Sequence, residues 1–156
     1  MAVEVGGKAP DFTLYDADRK RRSLSEFKGK TVVLAFFPGA FTGVCTKEAC
    51  QFRDSATQLS GLNAQVVGIS VDPPFSQKAW SDQNKLNFPI LSDFNRATVN
   101  AYGTPLQNLG GVEGYVSSKR AIFVLDKQGV VRYKWVSEPG NMPNFDEINQ
   151  ALAKLK

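Results

Sequence analysis

The sequence predicts an α/β fold, on three observations. Two apolar runs, Thr31–Phe37 and Val66–Val71, read as strands buried on both faces, as in a parallel sheet. The segment between them, about Gly43 to Leu59, carries a helical pattern, which makes a strand–helix–strand crossover. Two further strand-like runs around Asp126-Lys127-Gln128-Gly129 read as a hairpin.

The elements follow in order. Phe12-Thr13-Leu14-Tyr15 reads as a short strand leading into Arg19-Lys20-Arg21-Arg22, a solvated basic turn. The run Thr31–Phe37 is stopped by Pro38 and Gly39. Ser76 to Leu86 reads as a helix capped by Ser76 and stopped before Pro89. Pro89-Ile90-Leu91 is a short strand, and Phe94 to Tyr102 a short helix ended by Gly103. Arg120 to Leu125 and Val130 to Val136 are the hairpin strands, with Gly129 suited to the left-handed position of the turn. Asp146 to Leu155 is the last helix. Gly110-Gly111-Val112-Glu113-Gly114 lacks the Lys-Ser/Thr ending of a phosphate loop and reads as a flexible connection.

The 156 residues suit one domain, residues 1–156, with 42% apolar and 22% charged residues. Lys and Arg exceed Asp and Glu by 19 − 15 = 4, a mild basic excess with no nucleic-acid-reading motif, so no nucleic acid partner is expected. Met1–Pro10 carries Glu4 and Lys8 and no apolar signal core, and no run is long enough to span a membrane. The expectation is a cytoplasmic protein with no membrane partner.

Histidine is absent altogether. That excludes Cys–His and Ser–His–Asp catalysis and every histidine metal site. The two cysteines alone cannot close a tetrahedral zinc site, so neither metal nor cofactor is expected.

Cys45 falls at the start of the first helix, where free N–H groups and the helix dipole favour a thiolate. With no imidazole available, further activation requires Arg or Lys. On a helical wheel Ala49, Phe52, Ala56 and Leu59 lie within about 40° of Cys45 and form the buried stripe. Cys50 lies at about 140°, beside Asp54 and Thr57, on the solvent face. It is either an incidental surface thiol or the partner of an oxidised Cys45. Five helical residues rise about 7.5 Å, and a disulfide needs converging Cα atoms within about 7 Å. A bridge therefore requires the first turns to unwind.

Pro38-Gly39-Ala40-Phe41-Thr42-Gly43-Val44-Cys45 matches the P-x-x-x-T-x-x-C signature of peroxiredoxins. Ala9-Pro10-Asp11-Phe12-Thr13-Leu14 resembles their N-terminal segment, and Ser118–Asp126 resembles the strand carrying their active-site arginine. The resemblance covers nearly the whole chain. It implies a thioredoxin-like fold: a central mixed β-sheet flanked by helices, with an N-terminal extension and an inserted helical segment. It implies reduction of hydrogen peroxide and organic hydroperoxides, with Cys45 as peroxidatic nucleophile passing through a sulfenic acid. Arg120 would lower the thiolate pKa and bind the peroxide, together with Thr42, Val44 and Cys45. Thr42 would hydrogen-bond the thiolate, Pro38 would shield it, and the N–H groups of Val44 and Cys45 would stabilise developing charge. Glu48 matches a position that braces the arginine in some relatives, or is a carboxylate favouring the helix dipole.

Cys50 occupies the resolving position of the peroxiredoxin Q (bacterioferritin comigratory protein) group, which implies an intramolecular disulfide recycled by thioredoxin or a similar thiol reductant. Ala40–Val44, Ile69–Pro74 and Phe88–Phe94 look more like the alkyl hydroperoxide reductase E group, some members of which work with one cysteine and an external thiol. Relatives are monomers or homodimers. A short chain with no long tail after the last helix implies resistance to overoxidation. Trp80 and Trp135 read as packing residues, and Phe36, Phe37 and Phe41 as core or as an apolar mouth. Two other readings compete: a peroxide sensor or holdase that oxidises without turnover, and a thioredoxin-like binding module with incidental cysteines.

Overall fold

The computed structural model describes residues 3–156. Strands β1 (Thr13–Asp16) and β2 (Arg21–Ser23) form an N-terminal hairpin. Then come β3 (Thr31–Phe36), α1 (Gly43–Asp54), α2 (Ala56–Gly61), β4 (Ala64–Ser70), α3 (Pro74–Gln83) and β5 (Ile90–Ser92). The chain continues through α4 (Ala97–Ala101), β6 (Pro105–Leu106), β7 (Ser117–Ser118), β8 (Arg120–Leu125), β9 (Val131–Ser137) and α5 (Phe145–Lys154). Seven strands form one mixed sheet in the order β2-β1-β5-β4-β3-β8-β9, and β6 pairs with β7 apart from it. Only the central β3–β4 and β4–β5 pairs are parallel. This is the α/β class the sequence pattern predicts, in the thioredoxin-like form that the resemblance implies.

All six residues of β3 are buried because the strand is covered on both sides. Val33 and Ala35 face a core with Phe52 and Leu59, Ile122 and Val124 of β8, and Ile148 and Leu152 of α5. Val32, Leu34 and Phe36 face the opposite core, where the rings of Phe36, Tyr102 and Phe123 meet at centroid distances of 5.1–5.7 Å. The Tyr102 hydroxyl donates to the Pro10 carbonyl at 2.6 Å, which ties the N-terminal extension to this face. Gly68 in β4 sits in a close approach: a Cβ there would stand 2.7 Å from Ile90 Cδ1 and 3.4 Å from the Phe37 ring.

Several boundaries differ from the sequence reading. The basic segment is half strand: Arg21 and Arg22 pair with β1, and the Arg22 guanidinium lies beside Asp16 and over the Phe27 ring at 5.6 Å. The first helix is broken at Ser55 (φ −92, ψ 9) rather than continuous to Leu59, and Ala56 is only half-buried. The third helix starts two residues early. Pro73 takes the cap position and Pro74 the first turn, where the fixed φ and missing N–H cost nothing, so Ser76 is not the cap. It ends at Gln83, and Lys85 beyond it adopts φ +52. Of Phe94–Tyr102 only Ala97–Ala101 is helical, because Arg96 sits at φ +64. Asp93 takes over the capping: its carboxylate accepts the N–H groups of Thr98 and Val99 at 3.0 and 2.7 Å. Gly129 has φ +82 in the predicted hairpin turn. No helix among the described residues is long and apolar enough to cross a membrane.

Candidate active site

The site forms where the C-terminal ends of β3 and β4 meet the start of α1, beside the first residue of β8. Buried β3 ends at Phe36, and the loop 38–42 turns the chain into α1. Cys45 is the third residue of that helix and is 1% exposed. The first backbone bond of the helix is Thr46 N–H to the Thr42 carbonyl at 3.0 Å. The N–H groups of Gly43, Val44 and Cys45 therefore have no helical acceptor and leave a positive helix end around the sulfur.

Arg120 opens β8, which pairs with β3, so its side chain enters the same layer. It is 1% exposed, and Nη2 donates to Cys45 Sγ at 3.2 Å. Nη1 donates to Glu48 Oε1 at 2.8 Å. Nε and Nη2 donate to the Pro139 carbonyl at 3.1 and 2.7 Å. These bonds use four of the five guanidinium hydrogens and leave one on Nη1.

Glu48 lies one turn after Cys45 on the same side of α1. It is 3% exposed, and Oε2 has no hydrogen-bond partner among the described residues. Burial pushes its carboxyl up to about 7, against the lowering pull of the Arg120 charge and hydrogen bond. Of the two readings of Glu48, the geometry selects the arginine brace.

Pro38 is buried, and its carbonyl accepts the Ser117 hydroxyl at 2.8 Å. Thr42 stands at the helix cap position without capping it. Its hydroxyl donates to the Gly39 carbonyl at 2.7 Å, so its single proton is not directed at the thiol as the sequence reading expected. Ala40 N–H donates to Asp72 Oδ2 at 2.8 Å. Between these bonds Phe41 holds φ +66, a left-handed conformation costing roughly 1–2 kcal/mol for such a side chain. Phe41 is 54% exposed, whereas Phe36 and Phe37 are buried in the core.

Cys50 is brought no closer to Cys45 than an intact helix allows, and both thiols are free. It is half-buried rather than solvent-facing. Its Sγ lies 3.7 Å from Asn84 Oδ1, because the end of α3 packs across that side of α1, which a single-helix wheel does not represent. Arg53 donates to the Asn84 carbonyl at 2.6 Å, and Trp80 Nε1 donates to Thr46 Oγ1 at 3.0 Å. Trp80 is thus more than filler, stacked on Phe37 at 5.1 Å and bonded to α1.

Sequence reasoning missed Pro139, Ser117 and Asp72. A backbone acceptor such as Pro139 has no residue-type signal. Asp72 had one: it follows β4, at the strand ends where open α/β sheets gather their sites.

The AhpC/TSA family model matches residues 5–134. The chain is 36% identical over 156 residues to alkyl hydroperoxide reductase E of Mycobacterium tuberculosis, spanning 98% of both chains. It is 40% identical over 153 residues to chloroplastic peroxiredoxin Q of Populus jackii, spanning 98% of this chain and 70% of that one. The crystal structure of peroxidoxin BcpB from Mycobacterium tuberculosis superposes with a TM-score of 0.86 at 31% identity and 99% coverage of both chains. The protein is an oxidoreductase of the thiol-dependent peroxidase class. The chain belongs to the AhpC/TSA family, the peroxiredoxins.

Proposed function

We propose that Cys45 reduces hydrogen peroxide and organic hydroperoxides, and that Cys50 resolves the product. The observation that carries this reading is the 3.2 Å contact between Arg120 Nη2 and Cys45 Sγ, in a site without histidine. The guanidinium and the open helix end place positive charge beside the sulfur. The thiolate attacks the terminal peroxide oxygen and takes it with its hydrogen as a sulfenic acid, the O–O bond breaks, and the departing oxygen takes up the proton that the thiol gave to solvent and leaves as water or an alcohol. The free Nη1 hydrogen of Arg120 and the N–H groups of Val44 and Cys45 are donors for the oxygen on which charge develops. Thr42, its proton engaged with Gly39, offers its oxygen as acceptor to the peroxide O–H. Pro38 closes the inner wall against water.

In the next step the Cys50 thiol attacks the sulfenic sulfur, forming a disulfide and releasing water. A dithiol protein of thioredoxin type then returns both thiols. The intact mass of the reduced protein after one equivalent of hydrogen peroxide, with free thiols blocked, tests the reading. Loss of two hydrogens with no free thiol supports the two-cysteine cycle. Gain of oxygen with Cys50 still blockable assigns resolution to an external thiol. A covalent dimer moves resolution between two chains. No reaction refutes Cys45 as the nucleophile.

A further inference from the structure

Residues 38–42 join β3 to α1 and include the left-handed Phe41. A conformation of this kind persists only where its surroundings over-determine it. The Thr42–Gly39 bond lies within the loop and cannot fix it against the rest of the protein. Two side chains from elsewhere do so: Ser117 of β7 on the Pro38 carbonyl, and Asp72 on the Ala40 N–H.

Asp72 is itself held on several sides. Ser70 Oγ donates to the same Oδ2 at 2.6 Å, and Ser92 Oγ donates to the Asp72 carbonyl at 2.6 Å. Gln77, fully buried in α3, donates to Ser70 Oγ at 2.9 Å and to the Leu91 carbonyl at 3.0 Å. A chain of hydrogen bonds therefore runs from α3 through Ser70 and Asp72 to the backbone of the loop that delivers Thr42 and Cys45. Gly39 faces the same carboxylate: a Cβ added there would stand 3.9 Å from Oδ1.

We propose that Asp72 is a positioning residue for peroxide reduction. Its carboxylate fixes Ala40, and through Ala40 it holds Phe41 left-handed and sets where the Thr42 oxygen and the first turn of α1 stand relative to the sulfur. This rests on the reading of Cys45 as nucleophile. Peroxide reduction needs the thiolate and the surrounding donors in register, whereas simple alkylation needs only an accessible thiolate. Loss of the Ala40 anchor therefore separates the two reactions. An asparagine places an amide oxygen where Oδ2 stands and keeps both accepted bonds; an alanine keeps neither.

The test is the second-order rate of Cys45 oxidation by hydrogen peroxide in wild type, Asp72→Ala and Asp72→Asn. The rate of Cys45 alkylation by iodoacetamide and the melting temperature are measured alongside. Asp72→Ala is expected to lose ~10- to 100-fold in the peroxide reaction while alkylation changes by less than ~3-fold, and Asp72→Asn to recover most of the loss. Three results overturn the inference: an unchanged peroxide rate in Asp72→Ala, a parallel fall of both reactions, or an Asp72→Asn variant no better than Asp72→Ala. Should Asp72→Ala not fold, Ser70→Ala removes one support of Asp72 and is expected to show a smaller loss of the same selectivity; no loss there overturns the inference. A wild-type protein whose Cys45 ignores peroxide refutes the underlying assignment instead.

Discussion

Arg120 Nη2 and Cys45 Sγ stand 3.2 Å apart although 75 positions separate them in the chain. Both residues are about 1% exposed, so their attraction acts away from bulk water. The same guanidinium serves Glu48 and the Pro139 carbonyl through separate N–H groups, which fixes its plane as well as its charge.

Arg120→Lys is therefore not conservative. A lysine keeps one charge but cannot reach sulfur, carboxylate and carbonyl with a planar fork. The expected outcome is a loss of about 100-fold or more in the rate of peroxide reduction, followed by stopped-flow under single turnover. A loss below about threefold would show that charge alone suffices.

Glu48 gives stability a pH dependence whose sign follows from its proton. Burial pushes the pKa of that carboxyl up to about 7, whereas the free group titrates at 4.5. Between those values the folded chain binds more protons than the unfolded one, so stability falls as pH rises through the window and levels off above it. Urea unfolding across that range should show this slope in the wild type and its loss in Glu48→Gln. Identical slopes would mean that Glu48 ionises in the fold much as it does outside it.

The α1–α3 contact predicts an optical signal. A Cys45–Cys50 bridge requires the early turns of α1 to come apart, which carries Thr46 away from Trp80 Nε1. Oxidation should change tryptophan emission in the wild type and in Trp135→Phe, and not in Trp80→Phe. A bridged protein with unaltered Trp80 emission would contradict the unwinding.

Gly68→Ala tests the packing beneath the site. The added methyl meets Ile90 Cδ1 at 2.7 Å and the Phe37 ring at 3.4 Å. The isoleucine tip can move, so the cost should be about 1 kcal/mol, read as a lowered melting temperature. A rise in melting temperature would show a void there instead.

Much of this was legible in the sequence, and the reasons differ by residue. The β3 run announced itself because burial on both faces leaves a continuous apolar run, and the stripe through Ala49 and Phe52 because burial on one face leaves a helical period. Cys45 and Arg120 were legible as a pair because the missing histidine demanded a cation and the motif supplied its position. The environment of Cys50 was not, since it depends on α3 crossing the helix, and neither was the direction of the Thr42 hydroxyl, which a neighbouring carbonyl decides. The break at Ser55 and the left-handed Arg96 carry no residue type that signals them.

The Pro139 carbonyl, two residues beyond the end of β9, holds the guanidinium. The candidate site is therefore assembled from positions 42 to 139, nearly two-thirds of the chain's length, and no short contiguous fragment contains it. During synthesis Cys45 leaves the ribosome long before Arg120 and Pro139 do. Until they arrive and the sheet closes, its sulfur lacks the partners that single it out and meets oxidants as any other thiol would. On the proposed role of Cys45, reactivity toward peroxide is thus acquired with the native state rather than with the sequence alone.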